Sequence, residues 1–309
     1  MSALLIVASK LTTLFLYVLI GFIMVRARVL SEEFCGGISK FLMTAVLPCM
    51  IISTFQTDYT AEKLIRAGQV YLISLVIFGG SILLGYLTAR LFRIEKKALG
   101  VWVYAVAFPN HAFMGWPVMA AVFGGEAVFY ATFANMAFST YAYTFGVWLM
   151  KTTGDNKSTG RSLKDELLTP INAGIVIGLL LFFLQLHLPE AIGSAVSGIG
   201  NMTTPLAMIY VGTILARCSL SGVLKEGIVY KCSLVRLVLV PLLVLICARP
   251  FVHDPLIYGV LVIGHAMPVA GYCAIYAGAY NNDVLLASKL ISVTTLLCVI
   301  TIPIFSIIL

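Results

Sequence analysis

The stretch AFPNHAFMGWPV, residues 107–118, interrupts a long apolar run. A bilayer crossing takes about 20 predominantly apolar residues, and residues 98–123 otherwise meet that requirement. Pro109 removes a backbone donor, and its ring crowds the carbonyl four residues earlier. Asn110 and His111 add polar side chains at a depth where lipid offers no hydrogen-bond partner. Irregular backbone survives there only when it is buried in protein or lines a cavity. Either the segment is no membrane helix, or the break is what the protein is for.

Composition sets the class. Of 309 residues, 61% are hydrophobic and 11% are charged. Soluble domains carry about 25% charged residues, so this chain reads as a polytopic membrane protein. The seven cysteines form no CxxC and no Cys/His ligand spacing, and most sit in apolar runs as small hydrophobes. No metal site, cofactor or disulfide framework is expected. The first apolar run carries Lys10 and continues past Gly21 without a cleavage-site pattern, so it reads as a helix that directs its own insertion.

Apolar runs predict spans near 4–25, 35–56, 68–90, 98–123, 127–150, 167–187, 194–216, 229–248, 256–279 and 285–308. A polar linker over 151–166 divides them into five-span halves, 1–150 and 167–309. Thirteen Lys and Arg residues follow spans 1, 3, 5 and 7 or lie in the linker, against three (Lys63, Arg66, Arg249) on the other side. Positive residues mark the cytoplasmic side, which places the linker inside and both termini outside. The net charge of +7 is thereby a topology signal and implies no nucleic-acid partner.

The two halves resemble each other. GVWVYAVAFPN begins at Gly100 and GVLVIGHAMPV at Gly259, and they share Gly, Val, Val, Ala and Pro at the same offsets, so Pro109 matches Pro268. Pro48 and Pro205 also correspond, as do Glu126 and Asp283. With five spans each, the second half starts from the opposite face, which makes the repeats inverted. Inverted repeats broken at matching positions point to a secondary transporter with a midplane site. The half-helices after Pro109 and Pro268 are expected to aim their positive N-terminal ends at a common centre, which suits an anion.

All thirteen acidic residues fall in loops or at span ends. A central carboxylate, needed by a cation exchanger, is missing, and that favours an anion carrier. Lys10, Lys40 and Lys289 can snorkel. Arg236, about eight residues into its span, can pair with backbone carbonyls or attract substrate. Asn110 is the foremost substrate-binding candidate, because its amide both donates and accepts at the break. His111 and His265 either couple protons or pack as neutral rings. Asn135, Asn201, Thr203 and Thr204 are weaker candidates. Gly174 and Gly178 form a GxxxG read as close helix packing, with dimerisation as a second use.

PNHAFMGWPVMAAVFG, MPVAGYCAIYAGAY and ASKLISVTTLLCVITIPI resemble the auxin efflux carrier family over essentially the whole chain. The family pattern Asn-x-x-Phe-Met-Gly-x-Pro is met by Asn110, Phe113, Met114, Gly115 and Pro117. The resemblance implies an all-α fold of ten transmembrane helices, built as two inverted repeats with broken, crossing helices 4 and 9, like the bile-acid symporters. It implies an elevator movement, with spans 1, 2, 6 and 7 as scaffold and the others carrying substrate, and commonly a homodimer. Pro109, Asn110 and Pro268 match the crossover positions. His111 stands where a smaller residue is expected, and no amide follows Pro268. The linker is too short for the phosphorylated loop of long plant members.

The expected function is transport of a small organic anion across the plasma membrane. Pro109, Asn110, His111, Asn135, His265 and Pro268 are its substrate-binding candidates. A sodium- or proton-coupled symporter is the first rival. An intramembrane enzyme or a receptor is the second, and the spans hold neither HExxH nor paired Asp residues.

Overall fold

The computed structural model describes residues 3–154, 168–217 and 226–309, with side chains from residue 9 onward. The linker expected over 151–166 lies outside the described residues from 155 on, as do Cys218, Lys225, Asp155, Asp165 and Glu166.

Helix α1 is Ala3–Arg26. Helix α2 (Glu32–Phe41) passes through a widened π turn, Leu42–Val46, into α3 (Leu47–Thr54). Helix α4 spans Ala61–Leu91, several residues longer at its start than the apolar run suggests. Helix α5 (Lys96–Ala107) stops at the break, and a π turn, His111–Gly115, opens α6 (Trp116–Phe123). Helix α7 (Gly125–Tyr141) continues through Ala142–Gly146 into α8 (Val147–Thr153). The second half holds α9 (Pro170–Phe183), α10 (Glu190–Asn201) and α11 (Thr203–Arg217). Helix α12 (Gly227–Leu234) runs through a π turn, Val235–Leu239, into α13 (Val240–Ala248). Helices α14 (Pro255–His265) and α15 (Tyr272–Ala279) flank the second break, and α16 is Val284–Ile308.

Six helical stretches among the described residues are long and apolar enough to cross a membrane: Ser9–Arg26, Glu32–Thr54, Ala61–Leu91, Glu190–Arg217, Gly227–Ala248 and Val284–Ile308. Helix α4 shows the pattern plainly. Ala67, Val70, Ser74, Phe78 and Ile82 are buried at helical spacing, while Leu72, Val76, Leu83 and Leu87 stay exposed on the other side. A helix apolar all round is suited to lipid rather than to water.

Three of the four π turns among the described residues share one cause. Each ends two residues before a proline: Val46 before Pro48, Gly115 before Pro117 and Leu239 before Pro241. A proline inside a helix cannot donate to the carbonyl four residues back and presses its ring against it, so the preceding turn widens. The fourth turn, Ala142–Gly146, has no such proline, and nothing in the structure explains it.

The chain folds as two compact units, each drawing on both sequence halves. The first comprises the described residues of Met1–Gln69, Ala112–Phe133 and Lys164–Arg217. The second comprises those of Val70–His111, Ala134–Leu163 and Cys218–Leu309.

Glycines let backbones meet inside the first unit. A Cβ at Gly21 would stand 2.0 Å from the Ile209 oxygen, and one at Gly212 would stand 2.0 Å from the Val18 oxygen. Helices α1 and α11 are therefore in backbone contact, the packing that small residues permit between membrane helices. Gly174 and Gly178 face Pro48 and Phe55 of the same chain, so this GxxxG seats α9 on α3. Phe55 is also ringed by Phe129, Phe133 and Phe182 at 5.0–6.1 Å between centroids.

No described acidic side chain is buried, and all but Asp58 stand at or next to a helix start. The carboxylate of Asp254 accepts from the Leu256 and Ile257 amides, and that of Asp283 from the Leu286 amide. These are N-caps: they satisfy free amides and complement the positive helix end.

Gly212→Leu forces a side chain into the α1–α11 contact. Overpacking costs about 1–3 kcal/mol, so the thermal midpoint in detergent should fall by several degrees. An unchanged midpoint would contradict the close approach.

Candidate functional site

The second unit holds both breaks, and they meet. Pro109 and Val269 form an isolated antiparallel bridge. The Asn110 amide donates to the Pro268 carbonyl at 2.8 Å, and the Ala270 amide donates to the Phe108 carbonyl at 3.0 Å. The remaining donor, the Val269 amide, is taken by the Thr294 hydroxyl of α16 at 3.2 Å. Pro109 and Pro268 have no N–H to satisfy. Two short extended segments thus provide for each other what helix would have provided, as buried backbone requires.

The helix ends beside the crossing also leave carbonyls without helical partners. Arg236, on the π turn before Pro241 and wholly buried, supplies donors to three of them. Its Nη1 donates to the Val106 carbonyl at 2.7 Å, Nη2 to the His265 carbonyl at 2.5 Å, and Nε to the Met267 carbonyl at 3.1 Å. Val106 lies in the last turn of α5 and His265 ends α14, so one guanidinium spans the C-terminal ends of both broken helices. It makes no ion pair with an acidic side chain among the described residues.

The two histidines are neighbours. Their ring centroids are 5.6 Å apart, and Phe78 lies 4.9 Å from His265 and 5.9 Å from His111. His265 Nδ1 bonds the Leu261 carbonyl at 2.9 Å. Its Nε2 and both ring nitrogens of His111 are buried without a protein hydrogen bond. Such groups are uncommon and call for an explanation.

Of the residues singled out from sequence, Pro109, Asn110, His111, His265 and Pro268 come together here. Asn135 is buried on α7, one turn before Phe138, whose ring lies 6.1 Å from His111. Asn201 and Thr204 belong to the first unit. There they line a cavity of about 630 Å³ together with Ser53, Thr57, Lys63 and Glu126. Arg236 and Thr294 are the residues that sequence reasoning left outside the site. The signal for Arg236 was a basic residue five positions before a proline within an apolar run; Thr294 carried none.

Thr294→Val keeps the side chain's shape but removes the acceptor for the Val269 amide. Leaving a buried donor unpaired costs about 1–3 kcal/mol. The expected outcome is a lower thermal midpoint with the protein still inserted, and an unaltered midpoint would show that the bond carries no weight.

Comparison with known proteins gives the family. The family model described as "Membrane transport protein" matches residues 6–306. An uncharacterized transporter of Methanothermobacter thermautotrophicus is 27% identical over 300 residues, covering 94% of this chain and 95% of that protein. An uncharacterized transporter of Methanocaldococcus jannaschii is 24% identical over 286 residues, covering 90% and 91%. The chain belongs to this membrane transport family, that of the auxin efflux carriers its motifs resemble, and is a transport protein rather than an enzyme.

Proposed function

We propose that this protein is a secondary transporter of a small organic anion, a mono- or dicarboxylate or an auxin-like acid, in the plasma membrane. The observation that carries the proposal is a crossing, free of acids among the described residues, whose buried helix C-termini are neutralised by a buried arginine. Helix C-termini carry partial negative charge and N-termini partial positive charge. With Arg236 set against the C-terminal ends of α5 and α14, the positive N-terminal end of α15, in the same unit, is left to act on a bound anion. No acidic side chain is buried among the described residues to repel it. Asn110 and the N–H of a neutral His111 ring are the donors for a carboxylate; the Nδ1–H of His265 is engaged by the Leu261 carbonyl, which leaves its Nε2 an acceptor.

The rest of the reading rests on sequence and family likeness. Ten spans form two inverted repeats, 1–150 and 167–309, with the termini outside and the linker inside. Transport proceeds by elevator-type alternating access, in which the unit holding the crossing carries the substrate. The membership of the two compact units supports this grouping. Spans 1, 2, 6 and 7 lie in the first unit together with the start of span 3's helix, up to Gln69; the rest of that helix and spans 8–10 lie in the second. Residues 112–133, expected with the second group, cluster with the first. A homodimer is the expected assembly.

Counterflow of labelled malate, malonate, succinate, lactate and indole-acetate into proteoliposomes tests the reading, with neutral solutes alongside. At least one acid should move. Asn110→Ala should lower that flux by roughly tenfold or more, the equivalent of one buried hydrogen bond, while the protein remains monodisperse. Flux of neutral solutes alone would sink the anion assignment, and wild-type flux in Asn110→Ala would remove that residue from the site.

A further inference from the structure

Three carbonyl oxygens from two interrupted helices, those of Val106, His265 and Met267, converge on one point in the second unit. Unwound carbonyls and half-helix C-termini are the donors with which transporters of broken-helix design hold a coupling sodium ion. Hard oxygen donors of this kind suit a small cation. Here the position is taken by the guanidinium of Arg236, which is part of the chain and wholly buried. Each of its three nitrogens donates to one of the three carbonyls.

We propose that this carbonyl cluster is a monovalent-cation site permanently filled by the Arg236 side chain. The tethered cation does what a free ion would otherwise do: it holds the ends of α5 and α14 together and neutralises them. Transport then needs no sodium or other free cation at the crossing. This inference rests on the crossing being the transport centre, as proposed above. It also accounts for the missing central carboxylate, because a site whose cation cannot leave has no need of an acid to recruit one. A planar guanidinium is suited to the task, since it stays charged and its donors form a fixed fork.

The test has two readouts. In the first, proteoliposome flux of the transported anion is measured in sodium, potassium and choline media. The wild-type rates should agree within about twofold, and Arg236→Ala should lose roughly tenfold or more, having left buried carbonyls without donors. Millimolar guanidinium or methylguanidinium should restore part of the flux of Arg236→Ala and leave the wild type unaffected. In the second, the thermal midpoint of purified Arg236→Ala should rise on addition of the same guanidinium ions, with no rise for the wild type.

Sodium-dependent flux in the wild type would overturn the proposal, as would full flux in Arg236→Ala without added cation. If no anion is moved by the wild type, the transport reading fails separately. The thermal readout then decides this proposal alone, and the absence of guanidinium-specific stabilisation would refute it. Should Arg236→Ala not reach the membrane, Arg236→Lys is compared with Arg236→Gln. Higher stability and flux in the lysine variant would support a tethered cation, and equal behaviour would overturn it.

Discussion

A broken helix inside a membrane must find new partners for the backbone groups that the break sets free, and that constraint organises this molecule. Each orphaned amide or carbonyl costs several kcal/mol where no water can reach it. The solution has two parts. The extended segments at Pro109 and Val269 pair with each other, and side chains from other helices take what remains. Thr294 accepts from Val269, and Arg236 donates to Val106, His265 and Met267. One break alone would have left its donors and acceptors unmatched. Two breaks at corresponding places complete one another.

Prolines set up both the problem and part of its answer. Pro109 and Pro268 end the helices and contribute no N–H to the crossing. Pro241 widens the turn Val235–Leu239, and Arg236 sits on that turn. The same rule acts before Pro48 and Pro117, where the helix widens without breaking. Elsewhere the chain is conventional for a membrane protein. Glycines bring α1 and α11 into backbone contact, and the described acids mostly cap or flank helix starts. The described acids thus stay unburied, and one charged group, Arg236, meets the carbonyls of the crossing.

Much of this was legible before any coordinates. Prolines within apolar runs announce a break, the offset between GVWVYAVAFPN and GVLVIGHAMPV announces that it occurs twice, and the placement of acids follows from charge alone. Register and rotation were not legible. Sequence aligns Pro109 with Pro268, whereas the bridge pairs Pro109 with Val269, because residues that match by repeat need not face each other across a crossing. The depth of Arg236 could be counted, but the side of the helix it occupies depends on a π turn that shifts the helical phase. The nearness of His111 and His265 comes from tertiary packing around Phe78, which local spacing does not encode. The GxxxG of Gly174 and Gly178 signals a close contact without naming the partner, which is α3 of the same chain.

The central claim is that a crossing with one fixed positive charge and no acid carries an anion unaided by a free cation. Sustained charge movement by purified protein on a solid-supported membrane tests it most directly, with carboxylate concentration jumps in sodium-free choline buffer. The account predicts a signal specific to one or a few carboxylates, of the sign of negative charge moving with the substrate. A signal that appears only with sodium and carries positive charge along with the substrate would contradict it.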